Sequence, residues 1–302
     1  MKRARLAIIG LGKLGSACLK AIIKSDQFIP AGVVRRPEHV EEERLAEFNN
    51  IAVVAHISEL TQVDAALVCV PAEHVLGAAH DLMQRGIPVI ECAELHGAAF
   101  EEHKRELDRI AIHHKVSAIV GAGWDPGALS LFRGLFSLLT PQGHTEITHR
   151  PGHSLHHTAV ARAIPGVKEA LSTELRASNG KQQRYIYVEL EEGAQFEAVE
   201  SAIRNDPLFI DEETFIFPVD SVASLEEEGH GVLMERRGTA AAAGHQLFLL
   251  EARFSETALA AEVMLAAAHA LKTHRGRAYS LLDLPLGAFW GELREQVERQ
   301  VI

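Results

Sequence analysis

Six residues near the start of the chain, GLGKLG at 10–15, restrict its fold more than any other stretch. They follow a short apolar run, RLAIIG (5–10), and open a segment, KLGSACLKAIIKS (13–25), whose apolar residues recur at helical spacing. A G-x-G-x-x-G turn between a strand and a helix has a physical reading: the first glycine makes the tight turn, the second admits a pyrophosphate close to the backbone, and the third lets helix and strand pack. The helix N-terminus adds N–H donors and positive potential. Gly10, Leu11, Gly12, Lys13, Leu14 and Gly15 are therefore candidate contacts for a dinucleotide.

The next runs repeat the rhythm. IPAGVV (29–34), AALVCV (65–70), IPVIEC (87–92) and VSAIVGAG (116–123) read as strands, with helices at HVLGAAHDLMQRG (74–86) and AAFEEHKRELDRIAIHH (98–114) between them. Alternation of this kind predicts a parallel sheet covered by helices. The second strand ends in Arg35-Arg36, where an acid would take a ribose 2′-hydroxyl; two guanidiniums suit a 2′-phosphate instead. The expected cofactor is NADP, with Cys69, Val70 and Pro71 as further contacts. A solvated surface arginine pair is the plainer alternative.

Bulk properties exclude other classes. The 302 residues carry a formal charge of −11, which disfavours nucleic acid and anionic membranes as partners. Three cysteines without a C-x-x-C pair argue against a disulfide framework and fit a reducing cytosol. The first apolar run breaks at glycines too early for a signal peptide or membrane span. HSLHH (153–157) lacks the additional ligands of a metal site, and no metal is expected.

Beyond residue 122 the pattern changes. HTEITHR (144–150), RYIYVEL (184–190), HGVLMERRG (230–238) and HQLFLLEARFS (245–255) alternate as strands, with helices at 157–172 and 196–206. The fold class is thus α/β: a Rossmann dinucleotide-binding domain at 1–122, then an α+β domain at 123–256 on a mixed, mostly antiparallel sheet. The apolar helix beginning at 257, with the rest of the chain to 302, is expected to return to the first domain or to meet a second subunit.

Between the two domains lies AIVGAGWDPGALSL (118–131), mostly small or apolar, with one acid, Asp125. A carboxylate in such surroundings requires a partner. It could cap the helix that starts near PGALSLF, with proline at the first helical position. It could also hold a ligand cation.

Read together, GLGKLG, VVRR, CVP (69–71), GWDPG (123–127), AIPGVKEALS (163–172) and GHGVLMERRG (229–238) resemble meso-diaminopimelate dehydrogenase, of the shorter bacterial type. The resemblance runs along nearly the whole length in the same order. It implies a homodimer of NADP-binding and substrate-binding domains. The implied reaction is the reversible oxidative deamination of a D-configured amino-acid centre, yielding a 2-keto acid and ammonia. It assigns Trp124 and Asp125 to the reacting centre, with the substrate ammonium as the partner of Asp125. Glu94 would aid proton removal and the attack of water on the imine. Glu91, Leu155, His156, Glu174, Arg184, His230 and Glu256 would contact the rest of the substrate.

The chain departs from the family pattern at several of these positions. Glu91 and Glu94 stand where the family has an Asp-x-x-Asp pair, and Ala93 replaces a common tyrosine. His149 replaces a usual aromatic. The family's distal threonine falls on Glu174, and its asparagine falls near Ser255 or Glu256. An extra Glu beside Arg184 would neutralise it, which points to another D-amino acid as an alternative substrate. Two further readings stand beside these: an NADP-dependent reductase of ketones or imines, and an NADP-binding protein without catalytic activity.

Overall fold

The computed structural model describes residues 3–37, 51–150, 155–176, 182–210, 212–227, 230–238, 246–271 and 276–301. In chain order the first elements are β1 (Ala4–Ile9), α1 (Lys13–Lys24), β2 (Phe28–Val34), β3 (Val53–Val54), β4 (Ala65–Val68), α2 (Ala72–Gln84), β5 (Val89–Glu91), α3 (Gly97–His114), β6 (Ala118–Ile119) and α4 (Ala128–Leu139). There follow β7 (Gly143–Arg150), α5 (Leu155–Arg162), β8 (Val167–Arg176), β9 (Gln182–Leu190), α6 (Phe196–Arg204), β10 (Glu213–Pro218), α7 (Val222–Glu227), β11 (His230–Gly238) and β12 (Leu247–Phe254). The chain closes with α8 (Glu256–Ala270), β13 (Ala278–Tyr279) and α9 (Arg294–Val301).

Two compact units result: Met1–Gly143 with Glu256–Ile302, and His144–Ser255. The first is built on a seven-stranded sheet in the order β13-β6-β5-β4-β1-β2-β3. Neighbouring strands run parallel throughout. Alternation along β1 explains how both faces are filled. Leu6 and Ile8 enter a core shared with Cys18, Leu19 and Ile22 of α1, while Ala7 joins a second core with Val75 and Leu82 of α2 and Leu107 of α3. Strands buried on both faces read as continuous apolar runs, as here.

Helix α8 completes the first core. Ala261, Met264 and Leu265 lie at 1%, 0% and 6% exposure against the α1 side of the sheet. Strand β13 then adds to the edge beside β6. It is pinned by Asp108 of α3, whose carboxylate accepts from the Arg277 guanidinium at 2.7 and 2.9 Å and from the Ala278 N–H at 2.9 Å.

The first unit does not end at residue 122. It continues through the GWDPG turn and α4 to Gly143, because Leu129 is fully buried and Leu131 packs on the same core as α1.

In the second unit the described strands form two three-stranded sheets, β10-β9-β8 and β12-β11-β7. Pairs β8/β9 and β11/β12 are antiparallel, and β9/β10 is parallel. One expectation fails here. Residues 157–172 are not one helix: α5 stops at Arg162 and β8 begins at Val167. Pro165 has no N–H to donate, and Gly166 takes φ +90°, a conformation that ends a helix. Among the described residues no helix is long and apolar enough to cross a membrane.

Candidate active site

The glycines of the first turn do different jobs. Gly10 has φ +92°, and a Cβ on it would stand 2.7 Å from the Cys69 carbonyl oxygen. A Cβ on Gly15 would stand 2.0 Å from the Gly10 carbonyl oxygen. The chain's own packing therefore requires both. Gly12 is different: its φ is −81°, and a Cβ there would meet nothing within 4 Å. Only something outside the chain needs that space. Gly12 is also the N-cap of α1 and offers no capping side chain, so the first-turn N–H groups beside Lys13 and Leu14 stay available to an anion. This arrangement fits the pyrophosphate of a nicotinamide dinucleotide.

The neighbouring segments converge on the same turn. The Gly10 N–H donates to the Val34 carbonyl at 2.9 Å, and the Cys69 N–H to Ile9 at 2.8 Å. Arg35, half-buried, and Arg36, exposed, follow directly on β2. Cys69, Val70 and Pro71 lead from β4 to α2, which Pro71 precedes as N-cap. A hydrogen bond to Cys18 at 3.8 Å, with burial, pushes Cys69 up, and burial with the Glu91 charge pushes Cys92 up to about 12.

The GWDPG turn closes on itself. The backbones of Gly123 and Gly127 bridge, Gly127 has φ +141°, and a Cβ on Gly127 would lie 2.0 Å from the Gly123 oxygen. The N–H groups of Ala128 and Leu129 return to Gly123 and Trp124 at 3.0 and 2.9 Å. Within this closed turn Trp124 is buried and the Asp125–Pro126 peptide is cis.

The helix-cap expectation for Asp125 does not hold, because Gly127 is the N-cap of α4 and Pro126 lies outside the helix. The carboxylate has a resident partner that the sequence reading missed. Arg133, two turns into α4, donates from both Nη atoms to Asp125 Oδ1 and Oδ2, at 2.6 and 2.9 Å. Asp125 is 13% exposed and Arg133 35%. His96 Nδ1 stands 3.9 Å from the same carboxylate. A cavity of about 230 Å³ opens here, with His96, Phe100, Asp125, Ser130, Arg133 and Ser280 in its walls. A signal was present: Arg133 is the single charge in the otherwise apolar ALSLFRGLFSLL.

The two glutamates separate. Glu94 is exposed at the end of the β5 loop. Glu91 is 0% exposed; its Oε1 accepts from the Gly121 N–H at 3.0 Å and its other oxygen from the Ala93 N–H. His103 of α3 adds its Nε2 at 3.4 Å. A side chain with no exposed surface cannot touch a substrate, so the expected contact of Glu91 is corrected: it ties the loop after β5 to the loop after β6. Glu256 sits half-buried at the head of α8, near enough to Cys92 to raise that thiol.

In the second unit, Arg184 of β9 is 4% exposed and donates from Nε and Nη2 to both oxygens of Glu212, and from Nη1 to Ser172 at 3.2 Å. The Ser172 N–H in turn donates to the Thr158 hydroxyl at 2.9 Å, and His157 Nε2 lies 3.5 Å from Glu212. Hydrogen bonding from Arg184 holds the Glu212 carboxyl below its usual range. The sequence reading expected an extra Glu beside Arg184 to neutralise it. Glu212 is such an acid; the backbone of Glu174 stands directly opposite Arg184 in the β8–β9 pairing, and its side chain lies outside the described residues. No local signal separates Glu212 from the other acids of DEET. Leu155, His156 and His230 lie on α5 and β11, and their side chains, with those of His149 and Glu174, lie outside the described residues, as does His153. Among the described residues no group of three His, Cys, Asp or Glu side chains could hold a metal.

Comparison with known proteins places this geometry. Residues 4–91 match the oxidoreductase family with an NAD-binding Rossmann fold. A meso-diaminopimelate D-dehydrogenase of Bacteroides fragilis is 36% identical over 286 residues, covering 95% of each chain. The chain belongs to the meso-diaminopimelate D-dehydrogenase family. The enzyme of that name from Ureibacillus thermosphaericus is 26% identical over 339 residues, covering 100% of both chains. Among solved structures, the Corynebacterium glutamicum DAP dehydrogenase in complex with DAP aligns over 100% of both chains with TM-score 0.67 and 20% identity. An engineered D-amino acid dehydrogenase bound to NADP+ aligns equally fully, with TM-score 0.65 and 19% identity. The family is one of nicotinamide-dependent oxidoreductases, and the α/β architecture agrees with it.

Proposed function

We propose that the chain is an NADP-dependent dehydrogenase that reversibly deaminates a D-configured amino-acid centre to a 2-keto acid and ammonia. One observation carries the reading. Within the dinucleotide-binding unit, a closed GWDPG turn holds the Asp125 carboxylate at the wall of a cavity, oriented by a guanidinium.

When bound, the nicotinamide accepts the hydride. The protein's part is to place the α-carbon and handle protons. Asp125 takes the substrate nitrogen through N–H donors and thereby orients the adjoining C–H bond. The buried Trp124 provides an apolar wall and one N–H. Loss of hydride from the neutral amine leaves an iminium; Glu94 receives a proton from the attacking water, and ammonia then departs. Glu91 holds the two site loops in register. Gly10, Leu11, Gly12, Lys13, Leu14 and Gly15 cradle the pyrophosphate, and Arg35 with Arg36 takes the 2′-phosphate. On the pattern of the family, Leu155, His156, Glu174, Arg184, His230 and Glu256 serve the remainder of the substrate, and the chain assembles as a homodimer.

The relatives named above are meso-diaminopimelate dehydrogenases, which makes meso-2,6-diaminopimelate the first substrate to try. A second reading rests on Arg184. Its charge is already matched by Glu212, which favours a D-amino acid without a distal carboxylate. Steady-state assays with meso-diaminopimelate and a panel of D-amino acids decide between them. The reverse direction should consume NADPH only when ammonia accompanies the keto acid. Consumption without ammonia would replace this proposal with ketone reduction, and cofactor binding without any turnover would replace it with a silent binding protein. The double variant Arg35→Ala/Arg36→Ala should raise KM for NADPH at least about tenfold while leaving that for NADH nearly unchanged, since each charge-assisted contact contributes ~1.5 kcal/mol or more.

A further inference from the structure

The pairing of Asp125 with Arg133 bears on the protonation of the substrate. Oxidative deamination needs the free amine, because its lone pair expels the hydride; the ammonium form has none to give. An isolated carboxylate beside that nitrogen would favour the ammonium and hold the substrate in its unreactive form. Asp125 is not isolated. Both its oxygens accept from one guanidinium, and the pair as a whole carries no net charge.

We propose that Arg133 is a positioning residue that fixes the plane of the Asp125 carboxylate and lowers the proton affinity of the substrate amine bound to it. The inference rests on the assignment of Asp125 to the substrate nitrogen. The bidentate fork sets the carboxylate's orientation as a single contact could not. It also leaves lone pairs on both oxygens to accept an N–H from the cavity side. The guanidinium opposes the carboxylate's pull on a proton at the same place, so the amine is oriented without being locked as a cation.

The surrounding groups leave this role to Arg133. On α4 it is the single charge. The segment leading into α3 contributes His96, 3.9 Å from Asp125. Residues 281–283, which follow Ser280 of the cavity wall, contribute Asp283, which is taken by Lys104 and Ser280. From the end of β5 and from α3 come Glu91 and His103, which face each other in the interior. Arg133 is the cation hydrogen-bonded to Asp125 in this set.

The test is the pH profile of kcat for deamination at saturating substrate and NADP. Arg133→Gln should move the rising alkaline limb upward by about one unit, the lower end of what a neighbouring charge does to a pKa. Turnover near neutral pH should drop about tenfold and recover on the alkaline plateau. Arg133→Lys keeps the charge but loses the fork; its limb should stay in place while kcat/KM falls several-fold. Asp125→Asn, which leaves the guanidinium unbalanced, should move the limb downward. NADPH affinity, read by fluorescence, should be unchanged in all three. A profile for Arg133→Gln that is merely scaled down would reduce Arg133 to a structural role and overturn the proposal. If Arg133→Gln does not fold, the other two variants decide: a limb displaced in Arg133→Lys, or unmoved in Asp125→Asn, overturns it equally. Failure of the wild type to deaminate any D-amino acid would instead remove the function on which the inference stands.

Discussion

At the scale of single residues, chemically identical side chains have unlike jobs. Three glycines occupy the first turn, yet only Gly12 is free of contacts that forbid a side chain. Gly12→Ala should fold with near wild-type stability and bind NADPH at least about tenfold more weakly, because a methyl would enter the space kept for phosphate. Gly15→Ala should lose soluble folded protein, since its methyl would overlap the Gly10 carbonyl. Calorimetry and fluorescence titration separate the two effects. The thiols give a second prediction. With Cys92 pushed up to about 12 and Cys69 raised as well, both should resist iodoacetamide at pH 8 in the folded protein and react readily in urea, as mass spectrometry would register. Legibility at this scale was uneven. The turn glycines and Asp125 stand out by their neighbours in sequence. The partner of Asp125 lies eight positions further on, across a closed turn, and Glu212 reaches Arg184 from 28 positions along the chain, just before β10.

At the scale of elements, local pattern identified the longer strands and helices of the first unit because each is either a continuous apolar run or an amphipathic helix. It misread 157–172, where α5 and β8 are joined by four residues and the alternation of β8 follows directly on helical spacing. The short strands β3 and β13, two residues each, have no pattern to read; pairing with a neighbour makes them strands. Strand β13 depends on Asp108, and this makes it sensitive to acid. Hydrogen bonding from Arg277 outweighs burial and holds the Asp108 carboxyl below the usual aspartate range. Burial pushes Asp283 up, but Lys104 and Ser280 together bring it below the usual range as well. Groups lowered on folding stabilise the native state above their unfolded pKa, and that contribution disappears as pH falls through the folded value. Asp108→Asn should therefore be less stable than wild type at pH 7, and the gap should narrow as pH falls below the ordinary aspartate range. Urea unfolding followed by circular dichroism across that range measures it.

At the scale of the whole molecule, one compact unit is made from both ends of the chain, with His144–Ser255 inserted between them. Helix α8 is not an appendage: Met264 is fully buried among residues of α1 and β1, and its sulfur lies 3.9 Å from the Cys18 thiol. Met264→Ala should cost about 2–5 kcal/mol in urea unfolding, the range for emptying a packed core site. A chain ending at Ser255 should not yield a folded dinucleotide-binding unit, because one face of its sheet would lose its cover. Fluorescence binding of NADPH to the truncated protein checks this, and saturable binding at wild-type affinity would contradict it.

Sequence by itself determined the dinucleotide turn, the parallel sheet, the family and the acid at the centre of the GWDPG turn. Each of these is written in neighbouring residues, through periodicity, turn chemistry or a contiguous motif. Tertiary structure alone decided that Arg133 meets Asp125, that Glu212 meets Arg184, that Glu91 faces inward, and where one unit stops and the other begins. Those outcomes depend on side chains brought together from distant positions, and hydrogen bonding across such distances leaves no periodic trace along the chain.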